Sequence, residues 1–152
     1  MQVSELMSRE VVMISPTESC LDAVVRMQRA RVRHLPVMNR DGRLVGIITD
    51  RDLRHHLFAP AVFETLGSTP VDVLLDRVRV AEIMSTDVMT VESGVSVADA
   101  AGQMRNHRVG SLPVMESGRL VGIVTEVDIL RQIVRANATS PPECAEIIIS
   151  YP

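Results

Sequence analysis

The sequence predicts an α/β (α+β) protein built from two pseudo-symmetric repeats, each of which runs strand, helix, strand, strand, helix around a small sheet. Three segments of the chain recur in the same order, at offsets of 77, 77 and 76 residues: residues 3–8 return as 80–85, 35–38 as 112–115, and 42–49 as 118–125. A unit of roughly 55 residues buries too little surface to be comfortably stable alone. We therefore expect the two copies to pack against each other as one module.

The repeat also sets the boundaries within the 152-residue chain. We divide it into four parts: a first repeat at 1–56, an inter-repeat connection at 57–79, a second repeat at 80–137, and a C-terminal tail at 138–152. The connection holds Pro60, Gly67 and Pro70, and a short helix is predicted near Pro70. Two consecutive prolines in the tail should end the last helix.

Each repeat should begin with a buried strand followed by a capped helix. Residues 11–14 and 88–91 are short β-branched runs, which are typical of buried strands. Ser19 is followed three residues later by an aspartate, and so is Ser96. This spacing is that of a helix cap, and apolar residues at roughly helical spacing follow it in both copies.

A hairpin and a last helix complete each repeat. Strands are predicted at 35–38 and 44–49, joined in the first copy by Asp41-Gly42, a dipeptide that strongly favours a hairpin turn. A helix should then start near Asp50, and its equivalent near Glu126.

Composition excludes several classes of function. All 16 basic residues are arginine, which rules out a Schiff-base lysine and a phosphate-loop lysine. A net charge of -3 and an aromatic content of 2% argue against nucleic acid and anionic membranes as partners. Cys20 and Cys144 lack metal-ligand spacing. We expect a cytoplasmic protein with no catalytic residues, no bound metal and no membrane span.

The repeated motifs resemble a known family. The pattern V-x-E-[LI]-M, then LPV, then G-R-L-V-G-I-[IV]-T-x-x-D occurs in both copies. It closely resembles the CBS domain, and two copies resemble the tandem CBS pair, or Bateman module. The resemblance implies two pseudo-symmetric CBS repeats that enclose clefts for adenosine-containing ligands such as AMP, ADP, ATP, S-adenosylmethionine or NAD. It also implies a module that forms homodimers and regulates another protein.

The strand-to-helix corners at Thr49–Asp52 and Thr125–Asp128 are the candidate ligand sites. A helix start offers free N–H groups and partial positive charge to a phosphate. The threonine hydroxyl could donate to phosphate, and the aspartate could accept from a ribose diol. The resemblance assigns the same roles. The alternative is a capping box that needs no ligand.

Further ligand-binding residues follow from the resemblance and from the aliphatic composition. The resemblance places groups just before LPV at the adenine edge: Arg33 and His34, and Gly110 and Ser111. The ligand-binding set also includes Pro36 and Pro113 of the LPV motifs. Without aromatic rings, an adenine slot must be aliphatic, with these candidates: Ile14, Val37 and Ile48 in the first copy, and Val91, Val114 and Val124 in the second. The alternative for each is ordinary core packing.

The two clefts should differ in charge. Arg33, His34 and Arg51 surround the first motif, so that cleft should prefer the more highly phosphorylated ligand. The second should hold AMP or a weakly charged adenosyl compound, or stay empty. The function predicted is a non-catalytic regulatory module that binds AMP, ADP or ATP and signals to an unknown downstream protein. The alternative is a structural dimerisation module with empty clefts.

Overall fold

The computed structural model describes residues 1–57 and 70–137. Residues 58–69, most of the predicted connection, and the predicted tail at 138–152 lie outside the described residues. Within the described ranges the elements are, in order, α1 (Val3–Leu6), α2 (Cys20–Ala30), β1 (His34–Met38), β2 (Leu44–Thr49), α3 (Asp50–Leu57), α4 (Val71–Arg77), α5 (Val80–Ile83), β3 (Val91–Glu92), α6 (Val97–His107), β4 (Ser111–Glu116), β5 (Arg119–Thr125) and α7 (Glu126–Asn137).

The predicted hairpins are confirmed in both repeats. β1 pairs antiparallel with β2, and β4 pairs antiparallel with β5. In both hairpins the first strand begins opposite the threonine that ends the second: His34 pairs with Thr49, and Ser111 with Thr125. Gly42 has a φ of 73°, a conformation that the tight turn requires and that glycine adopts readily because it has no Cβ. Each hairpin therefore delivers its threonine to the start of the next helix.

The predicted first strand of each repeat is shorter than expected. Residues 88–91 contribute to the two-residue β3, which pairs parallel with β4. In the first repeat the strand is reduced to a single bridge between Ile14 and Val37. Ile14 exchanges backbone bonds with β1 on both sides (2.9 and 3.1 Å). The valines before Ile14 lie at a cavity wall instead of in the sheet.

The predicted helix caps and the connecting helix are present. Ser19 Oγ accepts the Asp22 N–H (3.1 Å) while Asp22 Oδ2 accepts the Ser19 N–H (3.0 Å), a reciprocal capping box. Ser96 Oγ accepts the Asp99 N–H at 3.0 Å. The short α4 begins directly after Pro70, as predicted for this part of the connection.

The repeats exchange their first segments. Val3 and Met7, at the start of the chain, are buried in the core that contains Leu112 and Val124 of the second repeat. Val80 is buried in the first core in the equivalent way. Backbone bonds fasten each segment to the other repeat's hairpin, with Ser8 bonded to β5 and Ser85 to β2. The sequence repeat did not predict this exchange, which ties the two cores into one module.

A glycine in each hairpin allows the exchanged segment to approach. An alanine Cβ at Gly122 would lie 2.5 Å from Met7 Sδ and 3.1 Å from the Ser8 carbonyl oxygen. At Gly46 the same distances to Met84 Sδ and the Ser85 carbonyl oxygen are 2.5 and 3.1 Å. A side chain at either position would push the exchanged segment off the strand, so these glycines are required for close packing.

Gly122→Ala should therefore lower the free energy of unfolding by about 2 kcal/mol, since an added methyl group must displace packed atoms. Urea unfolding measures the change. The matched control is Gly102→Ala in the interior of α6, where an added Cβ meets nothing within 4 Å outside its own helix. That variant should gain about 0.5–1 kcal/mol from helix propensity. Wild-type stability in Gly122→Ala would contradict the packing argument.

Candidate functional site

A threonine and an aspartate meet at each strand-to-helix corner. The Thr49 hydroxyl donates to Asp52 Oδ2 (2.7 Å), the Thr49 N–H donates to the same oxygen (2.8 Å), and the Asp52 N–H donates to Thr49 Oγ1 (3.2 Å). Thr125 and Asp128 repeat these bonds at 2.7, 2.9 and 3.3 Å. Both pairs form a capping box, the alternative that the spacing had left open.

Capping engages one carboxylate oxygen of each aspartate and uses the threonine proton. A hydroxyl has one proton, and Thr49 gives it to Asp52 in this arrangement. The structure thus gives the threonines a capping role, where the sequence predicted donation to phosphate. The second carboxylate oxygen, Oδ1, lies outside the cap in both pairs. Asp52 can therefore cap its helix and still accept from a ribose hydroxyl.

Some of the backbone N–H groups at the two helix starts are already hydrogen-bonded within the protein. The Asp50 N–H donates to the Arg33 carbonyl oxygen (3.1 Å), and the Glu126 N–H donates to the Gly110 carbonyl oxygen (3.0 Å). With the aspartate amide bonded to threonine, two of the first amides of each helix are already engaged. A phosphate at either corner would therefore depend chiefly on side-chain donors.

A cavity of about 760 Å³ lies beside the Thr49–Asp52 corner. Its apolar wall includes Val88 and Met89, which follow the exchanged segment of the second repeat. A second cavity of about 360 Å³ lies beside Thr125–Asp128, and residues 11–12 of the first repeat form part of its wall. Each cavity is thus composite, with the capped corner from one repeat and apolar groups from the other. Both volumes fall in the range of small-molecule sites.

The cavities share one wall, which consists of Arg33, His34, Gly110 and Glu126. Burial lowers the pKa of His34, and the Arg33 guanidinium lowers it further, while nearby carboxylates act in the opposite direction. The imidazole therefore stays neutral at pH 7. His34 Nε2 lies 3.4 Å from the position that a Cβ on Gly110 would occupy.

Charge differs between the cavities. Five arginines and four carboxylates line the larger cavity: Arg33, Arg51, Arg54, Arg105 and Arg108 against Asp50, Asp52, Asp87 and Glu126. Three arginines and three carboxylates line the smaller: Arg31, Arg33 and Arg131 against Glu10, Glu126 and Asp128. In the smaller cavity Arg131 is 3.8 Å from Asp128. Of the three residues behind the expected asymmetry, Arg33 and His34 line both cavities, and only Arg51 is confined to the larger one.

Most predicted ligand-binding residues meet at the cavities. Arg33, His34, Thr49, Arg51, Asp52, Gly110 and Ser111 line the larger cavity, and Thr125 and Asp128 line the smaller. The predicted aliphatic residues and prolines are elsewhere. Ile14, Val37, Ile48, Val91, Val114 and Val124 are buried in the two cores, and so are Pro36 and Pro113; among the described residues none of these eight lines either cavity. The six aliphatic side chains pack against helix residues such as Ala23 and Ala100, which is the core-packing alternative.

Sequence reasoning did not include two arginines among the candidate ligand-binding residues. Arg31 lines the smaller cavity, and Arg108, four residues before its LPV motif as Arg31 is before the first, lines the larger. Their equivalent positions in the repeats were a signal that could have identified them. The sequence also did not predict that residues 88–89 line the larger cavity and residues 11–12 the smaller. These positions depend on the exchange of segments, which the sequence repeat does not indicate.

Cys20 lines neither cavity. Cys20 is a buried thiol at the start of α2, and burial together with the Glu82 charge raises its pKa to about 11. It is therefore protonated and poorly nucleophilic at neutral pH. In residues 1–57 and 70–137, no three His, Cys, Asp or Glu side chains are grouped so as to hold a metal. No helix in those ranges has the length and apolar character of a membrane span.

The fold and the site together define a duplicated α/β module with composite, ligand-sized cavities at its strand-to-helix corners. Comparison with protein families places it more narrowly. The sequence model of the CBS domain matches residues 3–59 and 80–135, and the chain belongs to the CBS domain family as a tandem pair. A CBS domain-containing protein of Dictyostelium discoideum is 36% identical over 143 residues, covering 93% of this chain and 97% of that protein.

Solved structures agree with this assignment. A Methanocaldococcus jannaschii protein whose description compares it with g-AMPK matches with a TM-score of 0.77 and 34% identity, over 87% of this chain and 47% of that one. The CBS domain pair of protein MJ0100, solved in complex with 5'-methylthioadenosine and S-adenosyl-L-methionine, matches with a TM-score of 0.71 and 25% identity, over 90% and 98% of the two chains. Some CBS pairs of this fold therefore bind adenosine compounds.

Proposed function

We propose that this protein is a non-catalytic receptor for adenosine-containing ligands, with AMP, ADP or ATP as the physiological class. The observation that carries the proposal is a ligand-sized cavity beside each capped aspartate. Oδ1 of Asp52 or Asp128 accepts from the ribose hydroxyls, and the composite aliphatic wall holds the adenine ring. The adenosyl complex of the related MJ0100 pair supports this class of ligand.

The two cavities divide the ligands between them. The larger cavity, with its five arginines, takes the more highly phosphorylated nucleotide. The smaller cavity, with balanced charge and about half the volume, takes AMP or a weakly charged adenosyl compound such as S-adenosylmethionine. Both assignments follow from charge and size, since a phosphate chain needs space as well as guanidinium groups.

The receptor transmits ligand binding to another protein chain. Occupancy shifts the balance between two states of the module, and a downstream protein or a second copy of this chain in a homodimer reads that shift. A reducing cytoplasm suits the free thiol of Cys20.

Nucleotide should stabilise the folded protein if the proposal is correct. A ligand at about 100 times its dissociation constant adds about 2.7 kcal/mol to the free energy of unfolding. We expect this gain in urea unfolding with ATP and with AMP, and no gain with GTP at the same concentration and ionic strength. Unchanged stability with AMP, ADP, ATP and S-adenosylmethionine would overturn the proposal of a receptor and favour the alternative of a dimerisation module with empty clefts.

A further inference from the structure

Two arginines occupy a backbone conformation that ordinarily favours glycine. Arg31 ends α2 with a φ of 54°, and Arg108 ends α6 with a φ of 55°. This left-handed conformation is costly for a residue with a Cβ, and glycine is the usual residue where a helix ends in this way. Both repeats nevertheless carry arginine there.

The helix ends themselves do not need the arginine side chains. The Arg31 N–H donates to the carbonyl oxygens of Met27 and Gln28, and the Arg108 N–H makes the equivalent pair of bonds. Glycine has the same N–H and would make these bonds with less backbone strain. The backbone of these helix ends therefore gives no reason for arginine in place of glycine.

Each of the two arginines lines the cavity at the other repeat's corner. Arg108, from the second repeat, lines the larger cavity beside the Thr49–Asp52 corner. Arg31, from the first repeat, lines the smaller cavity beside Thr125–Asp128. Each cavity is thus lined by an arginine that ends a helix of the other repeat, and Arg105, from the last turn of α6, lines the larger cavity beside Arg108.

The backbone and the threonine at each corner offer a phosphate few free donors. The threonine hydroxyl proton is donated to the aspartate, and two helix amides are bonded within the fold. A guanidinium offers paired N–H groups that fit phosphate oxygens. We infer that Arg108 and Arg31 are phosphate-binding residues, one for each cavity, an assignment that rests on the proposed function and gives a specific role to two of the arginines that line the cavities.

The test separates binding from stability. The Asp128→Asn variant is used as the background, because its loss of binding in the smaller cavity lets the titration report the larger cavity. In this background, Arg108→Gly should lower the affinity for ATP by about tenfold, the usual scale of a hydrogen bond to a charged group. Adenosine, which lacks phosphate, should bind with unchanged affinity, and the urea midpoint should stay the same or rise. Arg108→Lys, which keeps the charge, should recover part of the ATP affinity. Calorimetric titration measures all three variants.

Ser117→Gly is the matched control. Ser117 has a φ of 51° in the turn between β4 and β5 and lines neither cavity, so its variant relieves the same strain without removing a phosphate ligand. ATP affinity should be unchanged in it. Unchanged ATP affinity in Arg108→Gly, or equal losses of ATP and adenosine, would overturn the role of Arg108. If the wild-type protein binds neither compound, the proposed function fails first.

Discussion

Val3→Asp should destabilise the second repeat before the first, although Val3 lies at the start of the chain. The Val3 side chain is fully buried among Leu112, Val124 and their neighbours. An aspartate there places an uncompensated carboxylate in an apolar core and also loses the buried valine, at a combined cost of about 5 kcal/mol. That is comparable to the whole stability of a marginal domain.

Native-state hydrogen exchange locates the damage. In Val3→Asp, amide protection should fall first at Leu112 and Val124, while Leu35 and Ile48 stay protected to higher denaturant. Val80→Asp is the matched variant, since Val80 is equally buried in the first core, and it should give the reverse order. Earlier loss at Leu35 and Ile48 in Val3→Asp would contradict the exchange of segments.

The fold could be read from the sequence as far as local signals reach. The strands that begin at His34 and Ser111, the caps at Ser19 and Ser96 and the turn at Gly42 all depend on residues within a few positions of one another. The exchange of first segments depends on contacts between residues far apart in the chain. A tandem repeat is equally compatible with a segment packing on its own copy or on the other one.

The site was predictable to a similar degree. Motifs identified the corner residues, whose spacing reflects one turn of helix. They did not identify the cavity walls, because Val88 and Met89 reach the Thr49 corner only through the exchanged packing. Conversely, Ile14 and Val91 were candidates on composition alone, and the sheet places them in the core. The local sequence around an aliphatic residue does not indicate whether its side chain packs in the core or lines a cavity.

Asp52→Asn should weaken ATP binding by about 10- to 100-fold and leave the ligand of the smaller cavity almost unaffected. A charged acceptor to a ribose hydroxyl contributes about 1.5–3 kcal/mol when it is shielded from water. Asparagine keeps an oxygen for the Thr49 N–H, so the helix cap largely survives. Asp128→Asn should lower the affinity of the smaller cavity for AMP and leave ATP binding in the larger cavity almost unaffected. Calorimetric titration of each nucleotide against each variant measures the pattern.

Two controls separate ribose recognition from helix capping. Asp22→Asn alters the equivalent capping box of α2, which lines neither cavity, so it should change stability without changing affinity. The second control varies the ligand: wild-type protein should prefer ATP to 2'-deoxyATP, and Asp52→Asn should lose most of that preference, because the hydroxyl and the carboxylate act as a pair. Equal losses of ATP in Asp52→Asn and Asp128→Asn would contradict the division of ligands. An unchanged preference for ATP over 2'-deoxyATP in Asp52→Asn would place the ribose elsewhere.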